Sequence, residues 1–481
     1  MGFRKALSYI LEPLFGPVGE KRVLGEFRGK TVQVFTEALE SHAYIVGATR
    51  TGKSRLLRIL IEQDIDAGQG LCVIDPHGDL CEELVTYLAT LPTDHPSLAK
   101  AVLIDPADSD WAVGFNPLEV PPGEEIYPHV LELLTVFEKL WKDSWGARME
   151  DLMRNSFITL AEHGLTLLEV RPLLTDPDFR RHLVTKLQHP EARHYWEDRF
   201  GPLPARTKAE WIESTLNKVS TFVSDPLIRD MVGQRHSTIN LRQWMDEGQI
   251  TLMNLARGRL KENCDLVAAL FLAKTQEAAL SRVDLKRKDR RLYRLCVDEF
   301  QHYATKSFEE ILSESAKYGL AIIMANQNLQ QLDISLLASV LNNAQVQIYF
   351  RCGRDDAQKL AREAFRATGK QIKFQLDSKD LFSSEPRSTP VFIGVAEEME
   401  GYINTLLDFQ KRQALLNVRG EGAPVPFRTA DAPDREEPPT LPALRNRLLA
   451  RAARPRHTVR EEINRRSHSD PDEQDEVYWT K

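Results

Sequence analysis

Gly47-Ala-Thr-Arg-Thr-Gly-Lys-Ser54 reads G-x-x-x-x-G-K-[ST] in full. The run Ala43-Tyr-Ile-Val-Gly47 leads into it with a strand-like apolar pattern. Residues Ser54 to Ala67 follow with a helical pattern that Gly68 and Gly70 stop. Strand, glycine loop and helix in that order predict a phosphate-binding loop. Glycines let backbone N–H groups curl around phosphate oxygens, and the helix N-terminus adds partial positive charge. Gly47, Ala48, Thr49, Arg50, Thr51, Gly52, Lys53 and Ser54 are therefore expected to bind a nucleotide. Lys53 would reach the β- and γ-phosphates, and Ser54 would ligate Mg²⁺.

Such a loop needs a carboxylate at the tip of a neighbouring strand. The run Tyr293-Arg-Leu-Cys-Val-Asp298 supplies one, and Glu299 follows at once. Asp298 is expected to hold the Mg²⁺ shell, and Glu299 to orient and polarise the attacking water. GTPase-type P-loop proteins usually lack the second acid, so the pair favours an ATPase with ATP and Mg²⁺ as cofactors. Leu320-Ala-Ile-Ile-Met-Ala325 is followed by Asn326 and Gln327, amides where a strand leaves its sheet and ligands bind. Gln327 is a candidate sensor of the γ-phosphate. Arg351 follows the run Val346–Phe350 and is a candidate finger for a neighbouring subunit's ATP. A surface ion pair is the alternative for it and for Arg354.

Outward from these motifs, short apolar runs alternate with helical stretches, which predicts an α/β fold with a parallel sheet. Lys21–Gly25 and Thr31–Thr36 read as two strands around the turn Arg28-Gly-Lys30. Leu71–Asp75, Ala101–Asp105, Gln249–Asn254 and Val391–Val395 read as further strands. Between Pro128 and Trp244 the pattern is helical and holds five of the seven tryptophans. Lys53 and Asp298 lie 245 positions apart (298 − 53), more than a compact core needs, so the helical stretch is read as an insertion. The expected organisation is an N-terminal helix and short β segment (1–40), the first part of a P-loop core (41–120), an all-α insertion (121–247), the second part of the core (248–420) and a disordered charged tail (421–481). The tail has prolines from Pro424 to Pro442. Arg445 to Arg466 hold eight arginines against two glutamates, and Asp470 to Glu476 hold five acids.

Composition sets further bounds. The chain has 481 residues, 42% of them hydrophobic and 28% charged, with net charge −7. It reads as globular, with about three domains at roughly 150 residues each. A nucleic-acid partner would have to meet a local basic patch or a lined pore. Cys72, Cys81, Cys264, Cys296 and Cys352 form no C-x-x-C pair, which predicts a reducing compartment without disulfides or zinc. His77, with Asp75 and Asp79, reads as a satisfied turn more readily than as a metal site. No run of about 18 apolar residues is present, and no signal peptide is read at the N-terminus. Phe3, Leu7, Ile10, Leu11 and Leu14 share one helical face, read as packing on the protein itself or a neighbour, with a membrane surface as the alternative. The expected location is cytoplasmic, or peripheral at the inner membrane through partners.

Several motifs occur in a fixed order: the Gly47–Ser54 loop, Asp75-Pro-His-Gly-Asp79, Asp105-Pro-Ala107 with Gly114-Phe-Asn-Pro117, Asp298-Glu-Phe300, Asn326-Gln327 and Phe350-Arg351. Over about Ala43 to Ala414 the sequence resembles the TraG/TraD-like coupling-protein ATPases of conjugative type IV secretion, within the HerA–FtsK superfamily of ring DNA translocases. The resemblance implies a RecA-like P-loop NTPase core, a hexameric ring with ATP between subunits, and DNA in a central channel. It implies ATP-Mg²⁺ binding by Lys53 and Ser54, catalytic acids at Asp298 and Glu299, and a sensor at Gln327. The function it implies is an ATP-driven motor that translocates DNA in conjugative transfer, with DNA, a relaxase and secretion-channel proteins as partners. The alternatives are a soluble HerA-like ATPase for DNA processing or phage defence, an ATP-gated ring scaffold recruiting a nuclease or relaxase, and a motor for protein cargo.

Overall fold

The computed structural model describes residues 20–367, 372–376 and 388–468, apart from Pro122, Glu262, Thr305 and Pro433. The helical face at Phe3–Leu14 and the acids of Asp470–Glu476 lie outside the described residues. In chain order the strands are β1 (Lys21–Phe27), β2 (Lys30–Phe35), β3 (Ala43–Val46), β4 (Gly70–Asp75), β5 (Ala101–Ile104), β6 (Trp111–Val113), β7 (Ile250–Asn254), β8 (Tyr293–Val297), β9 (Leu320–Asn326), β10 (Val346–Phe350), β11 (Ile372–Leu376), β12 (Ser388–Phe392), β13 (Gln413–Val418), β14 (Val425–Thr429) and β15 (Ala453–Pro455). The chain forms two units. The first comprises the described residues up to Gln63, with Asp298–Gln301 and Ala321–Asp434. The second comprises Asp64–Val297, His302–Leu320 and the residues from Arg435 onward.

In the first unit the strand order is β2-β1-β14-β13-β10-β3-β9. β3 lies between β10 and β9 and runs parallel to both, with Ala43 opposite Val346 and Ile323. Every residue of these three strands is buried. That is why they read as continuous apolar runs instead of alternating ones: a parallel sheet is covered on both faces. The remaining pairings are antiparallel, β10 to β13, β13 to β14, β14 to β1 and β1 to β2. The β1–β2 turn places Arg28 and Gly29 at φ 49° and 75°. Two positive φ values in a two-residue loop match the right-handed twist of the flanking strands.

In the second unit β8, β4, β7 and β5 form a parallel ladder in that order. Between β6 and β7 the chain is helical from Ile126 to Glu247. Phe137, Phe157, Phe200 and Phe222 are buried in this stretch. Trp196 is buried too and donates from Nε1 to the Thr159 hydroxyl at 2.9 Å, so its one polar atom is satisfied. Asn116, in the Gly114–Pro117 motif, donates to the carbonyls of Leu165 at 3.1 Å and Arg235 at 2.9 Å. That motif serves as a joint into the helical stretch.

Two sequence expectations change. Val391–Val395 is not a strand of the main ladders: Ser388–Phe392 pairs with β11 in a separate two-stranded sheet, and a helix starts at Val395. Gly394 is its N-cap residue, and Glu397 and Glu398 stand in its first turn, where acids favour a helix N-terminus.

The charged tail expected from residue 421 is the second correction. The chain continues in β14, a helix at Leu441–Ala450, β15, paired with β6, and a helix at Arg456–His468. Pro426 is compatible with β14 because it lies beyond the two residue pairs that join β14 to β1. Most of the arginines are bound internally. Arg445 meets Asp105 at 2.8 Å and Asp108 at 3.0 Å, and Arg451 donates to the carbonyls of Leu98 and Ala101 at 2.7 Å. Arg456 pairs with buried Asp230 at 2.6 Å and donates to the carbonyls of Pro106, Asp108 and Trp111. Arg460 shares Asp230 at 2.9 Å, and Arg466 pairs with Glu169 at 3.0 Å. Composition reads this block as solvated charge; partners more than 200 positions away make it part of the second unit's body.

Candidate nucleotide site

The loop leaves β3 at Gly47 and enters the helix Lys53–Asp66. A Cβ on Gly47 would lie 2.4 Å from Cβ of Phe350, so β10 passes too close for any side chain. Ala48 N–H donates to the carbonyl of Arg351 at 2.8 Å. Arg412 N–H donates to the carbonyl of Thr51 at 2.7 Å, and the Thr51 hydroxyl donates to the carbonyl of Ala48 at 2.7 Å. The loop is thus held from the ends of two strands. Arg412 is itself fixed by Asp431 at 2.7 Å and the carbonyl of Thr429 at 2.8 Å. The sequence carries no signal for it, because its contact with the loop is made through its backbone.

Thr49, Arg50 and Ser54 are exposed, whereas Lys53 is buried. Its ammonium donates to the carbonyls of Gly47 at 2.6 Å and Ala48 at 3.3 Å. Burial pushes its pKa below the ordinary lysine range, and Glu299 and Asp298 oppose that shift. A buried cation against a glycine cradle suits phosphate oxygens. Ser54 Oγ lies 3.4 Å from Asp298 Oδ2. Adjacent oxygen ligands of Mg²⁺ stand about 3 Å apart in an octahedron with bonds of 2.0–2.1 Å. The two residues therefore fit that cation.

Asp298 and Glu299 follow β8 directly and are both buried. Glu299 has φ 50°, a left-handed conformation that L-residues seldom adopt outside functional or strained sites. Its N–H donates to Asp298 Oδ1 at 3.1 Å. Its carboxylate accepts from two amides, Gln327 Nε2 at 3.0 Å and Gln301 Nε2 at 2.7 Å. Gln327 Oε1 in turn accepts from the Thr49 hydroxyl at 3.0 Å. The phosphate loop, the strand end after β9 and the acid after β8 are thereby joined. Asn326 faces away from this chain of bonds: it accepts from the Tyr44 hydroxyl at 2.8 Å and donates to the carbonyl of Asn328.

Gln301 was not among the residues singled out by sequence; its position two after Glu299 was the only available hint. Arg351 is exposed, and among the described residues no ion pair joins its side chain to this chain's own loop or acids. Arg354 pairs with Glu400 at 2.5 Å, the surface ion pair weighed for it. His77 lies in a turn: Asp75 accepts from the N–H groups of His77 at 3.0 Å and Cys81 at 2.9 Å, at the start of the helix Asp79–Thr90.

The family model for the central domain of the HerA helicase matches residues 23–158, and that for the TraM recognition site of TraD and TraG matches residues 293–373. Each match covers part of the chain and says what that segment is similar to. Solved structures share the chain's fold. The unbound monoclinic form of the bacterial conjugative coupling protein TrwBdeltaN70 matches with a TM-score of 0.60 at 16% identity, over 91% of this chain and 93% of that one. The plasmid coupling protein TrwB in complex with the GTP analogue GDPNP matches with 0.57 at 18%, over 87% and 92%. VirB4 of Thermoanaerobacter pseudethanolicus matches with 0.52 at 14%, over 87% and 98%. The chain thus has a RecA-like P-loop NTPase fold. No curated protein sequence matches it. No described helix is long and apolar enough to cross a membrane.

Proposed function

We propose that this protein is a Mg²⁺-dependent ATPase that assembles as a ring, with six subunits expected, and drives DNA in conjugative or type IV secretion transfer. The observation that carries the reading is the buried Asp298-Glu299 pair, tied through Gln327 to Thr49 in the phosphate loop. A protein that only binds nucleotide has no need of a second buried acid next to the first.

When bound, Mg²⁺·ATP supplies the phosphoanhydride to be cleaved. Lys53 neutralises phosphate charge from inside the loop. Ser54 and Asp298 hold the cation. Glu299 takes the proton of the attacking water, and Gln327, bonded to both Glu299 and Thr49, senses the γ-phosphate. Arg351, exposed after β10, supplies positive charge to a neighbouring subunit's site. DNA contacts belong to folded surfaces, because the arginines from Arg445 to Arg466 that stand out in the sequence are largely taken up by internal partners. The match to the TraM recognition site supports a relaxosome-type partner, and a membrane location through such partners.

The test is ATP turnover with and without DNA across a salt series. Stimulation that falls steeply with salt is expected, because DNA binding releases counterions. Nucleotide binding without turnover, unaffected by DNA, would favour the ring scaffold. The match to the HerA central domain supports a second reading, DNA processing or defence. Co-purification with a nuclease in place of a relaxase would select it.

A further inference from the structure

We infer that Gln301 is a positioning residue that clamps Glu299 in a resting orientation, and that the clamp is linked to the phosphate loop through Gln327 and Thr49. The inference rests on the reading of Glu299 as the water-activating carboxylate.

Both oxygens of Glu299 are engaged, Oε2 by Gln301 at 2.7 Å and Oε1 by Gln327 at 3.0 Å. Only an amide NH₂ can face a carboxylate, so the orientation of both glutamines is settled by chemistry. Hydrogen bonds to an ionised acceptor are stronger than neutral ones, and the shorter of the two comes from Gln301. Its bond to Glu299 leaves Gln301 Oε1 buried and without a hydrogen-bond partner among the described residues. An unmet buried acceptor is unfavourable. The arrangement therefore has a built-in reason to exchange for one that meets this oxygen.

Gln327 supplies the link. One amide group donates to Glu299 and accepts from Thr49. Thr49 is the third residue of the loop and is exposed. A phosphate bound in the loop competes for the Thr49 hydroxyl. Loss of that bond lets Gln327 and the carboxylate it holds turn together, which breaks the bond from Gln301. The clamp favours the empty loop, so weakening it shifts the protein toward the form that accepts a γ-phosphate.

The test uses the full chain with Gln301→Met, which keeps side-chain length without a donor, and Gln301→Ala. A non-hydrolysable ATP analogue should bind both variants more tightly than wild type, on the order of threefold to tenfold, the worth of one hydrogen bond. ADP affinity should not change, and ATP turnover without DNA should rise by a similar factor. Should Gln301→Ala fail to fold, Gln301→Met carries the measurement. Unchanged or weaker analogue binding overturns the clamp, and so does equal tightening for ADP and analogue. Glu299→Gln separates the two levels. If it hydrolyses ATP at the wild-type rate, the reading of Glu299 fails and the clamp with it. If it is inactive while the Gln301 variants behave as wild type, the clamp alone fails.

Discussion

Lys53 Nζ donates to the carbonyl of Gly47 at 2.6 Å, so the lysine near the end of the phosphate loop closes back on the residue that begins it. The ammonium is buried among backbone oxygens that meet only part of its hydrogen-bonding capacity. This loop stores an unfavourable charge that a phosphate would relieve.

Replacing that lysine tests the point. Lys53→Met should abolish the rise in melting temperature produced by Mg²⁺ and nucleotide. The two ligand-free proteins should also differ in pH response. Burial lowers the folded-state pKa of Lys53 from 10.5, so the unfolded chain holds this proton more tightly. The penalty is complete below the lowered value and fades as pH rises toward 10.5. Wild type should therefore gain stability relative to Lys53→Met over that interval. A constant difference in melting temperature would show that the charge carries no penalty.

Glu299→Gln should retain nucleotide binding and lose turnover by about 10²–10⁴-fold, the usual worth of a positioned general base. Turnover within a few-fold of wild type would remove Glu299 from the chemistry.

Arg351 should act in trans. Specific activity should rise with protein concentration, and Arg351→Ala subunits should lower the activity of mixed assemblies out of proportion to their fraction. A finger arginine is worth on the order of 10³-fold or more. A concentration-independent rate from a monomer on a sizing column would contradict the role.

The C-terminal segment should be required for folding. Arg456→Ala leaves buried Asp230 with only the half-exposed Arg460, at a cost of about 3 kcal/mol or more in unfolding free energy. Deleting the residues after Gly420 removes β14 from between β13 and β1 and takes the internal arginines with it. That protein should be recovered insoluble or partly unfolded by circular dichroism. A soluble, fully active truncation would show that these ion pairs are dispensable.

The parallel core was legible because its signals are local. β3, β9 and β10 are buried on both faces, so their sequences are unbroken apolar runs whatever lies beside them. The Gly47–Ser54 loop declares itself through spacing alone. Asp298, Glu299 and Gln327 stand where apolar runs stop, which marks strand ends. The structure brings Ser54 to Asp298, and Gln327 to Glu299 and Thr49, across sequence separations of up to 278 residues.

The sequence by itself determined which segments become strands and helices of the core, and which residue types stand at its strand ends. Only the tertiary structure decided what the charges and amides do. Arg456 and Asp230 are 226 positions apart, and nothing near either residue distinguishes a solvated arginine from a buried, paired one. Gln301 is an ordinary polar residue until its amide meets Glu299, and Arg412 caps the phosphate loop through a backbone N–H that any residue but proline could provide. Apolar burial is written in composition and period because it is non-directional. A hydrogen bond or ion pair depends on distance and direction between atoms remote in sequence, and folding alone sets those.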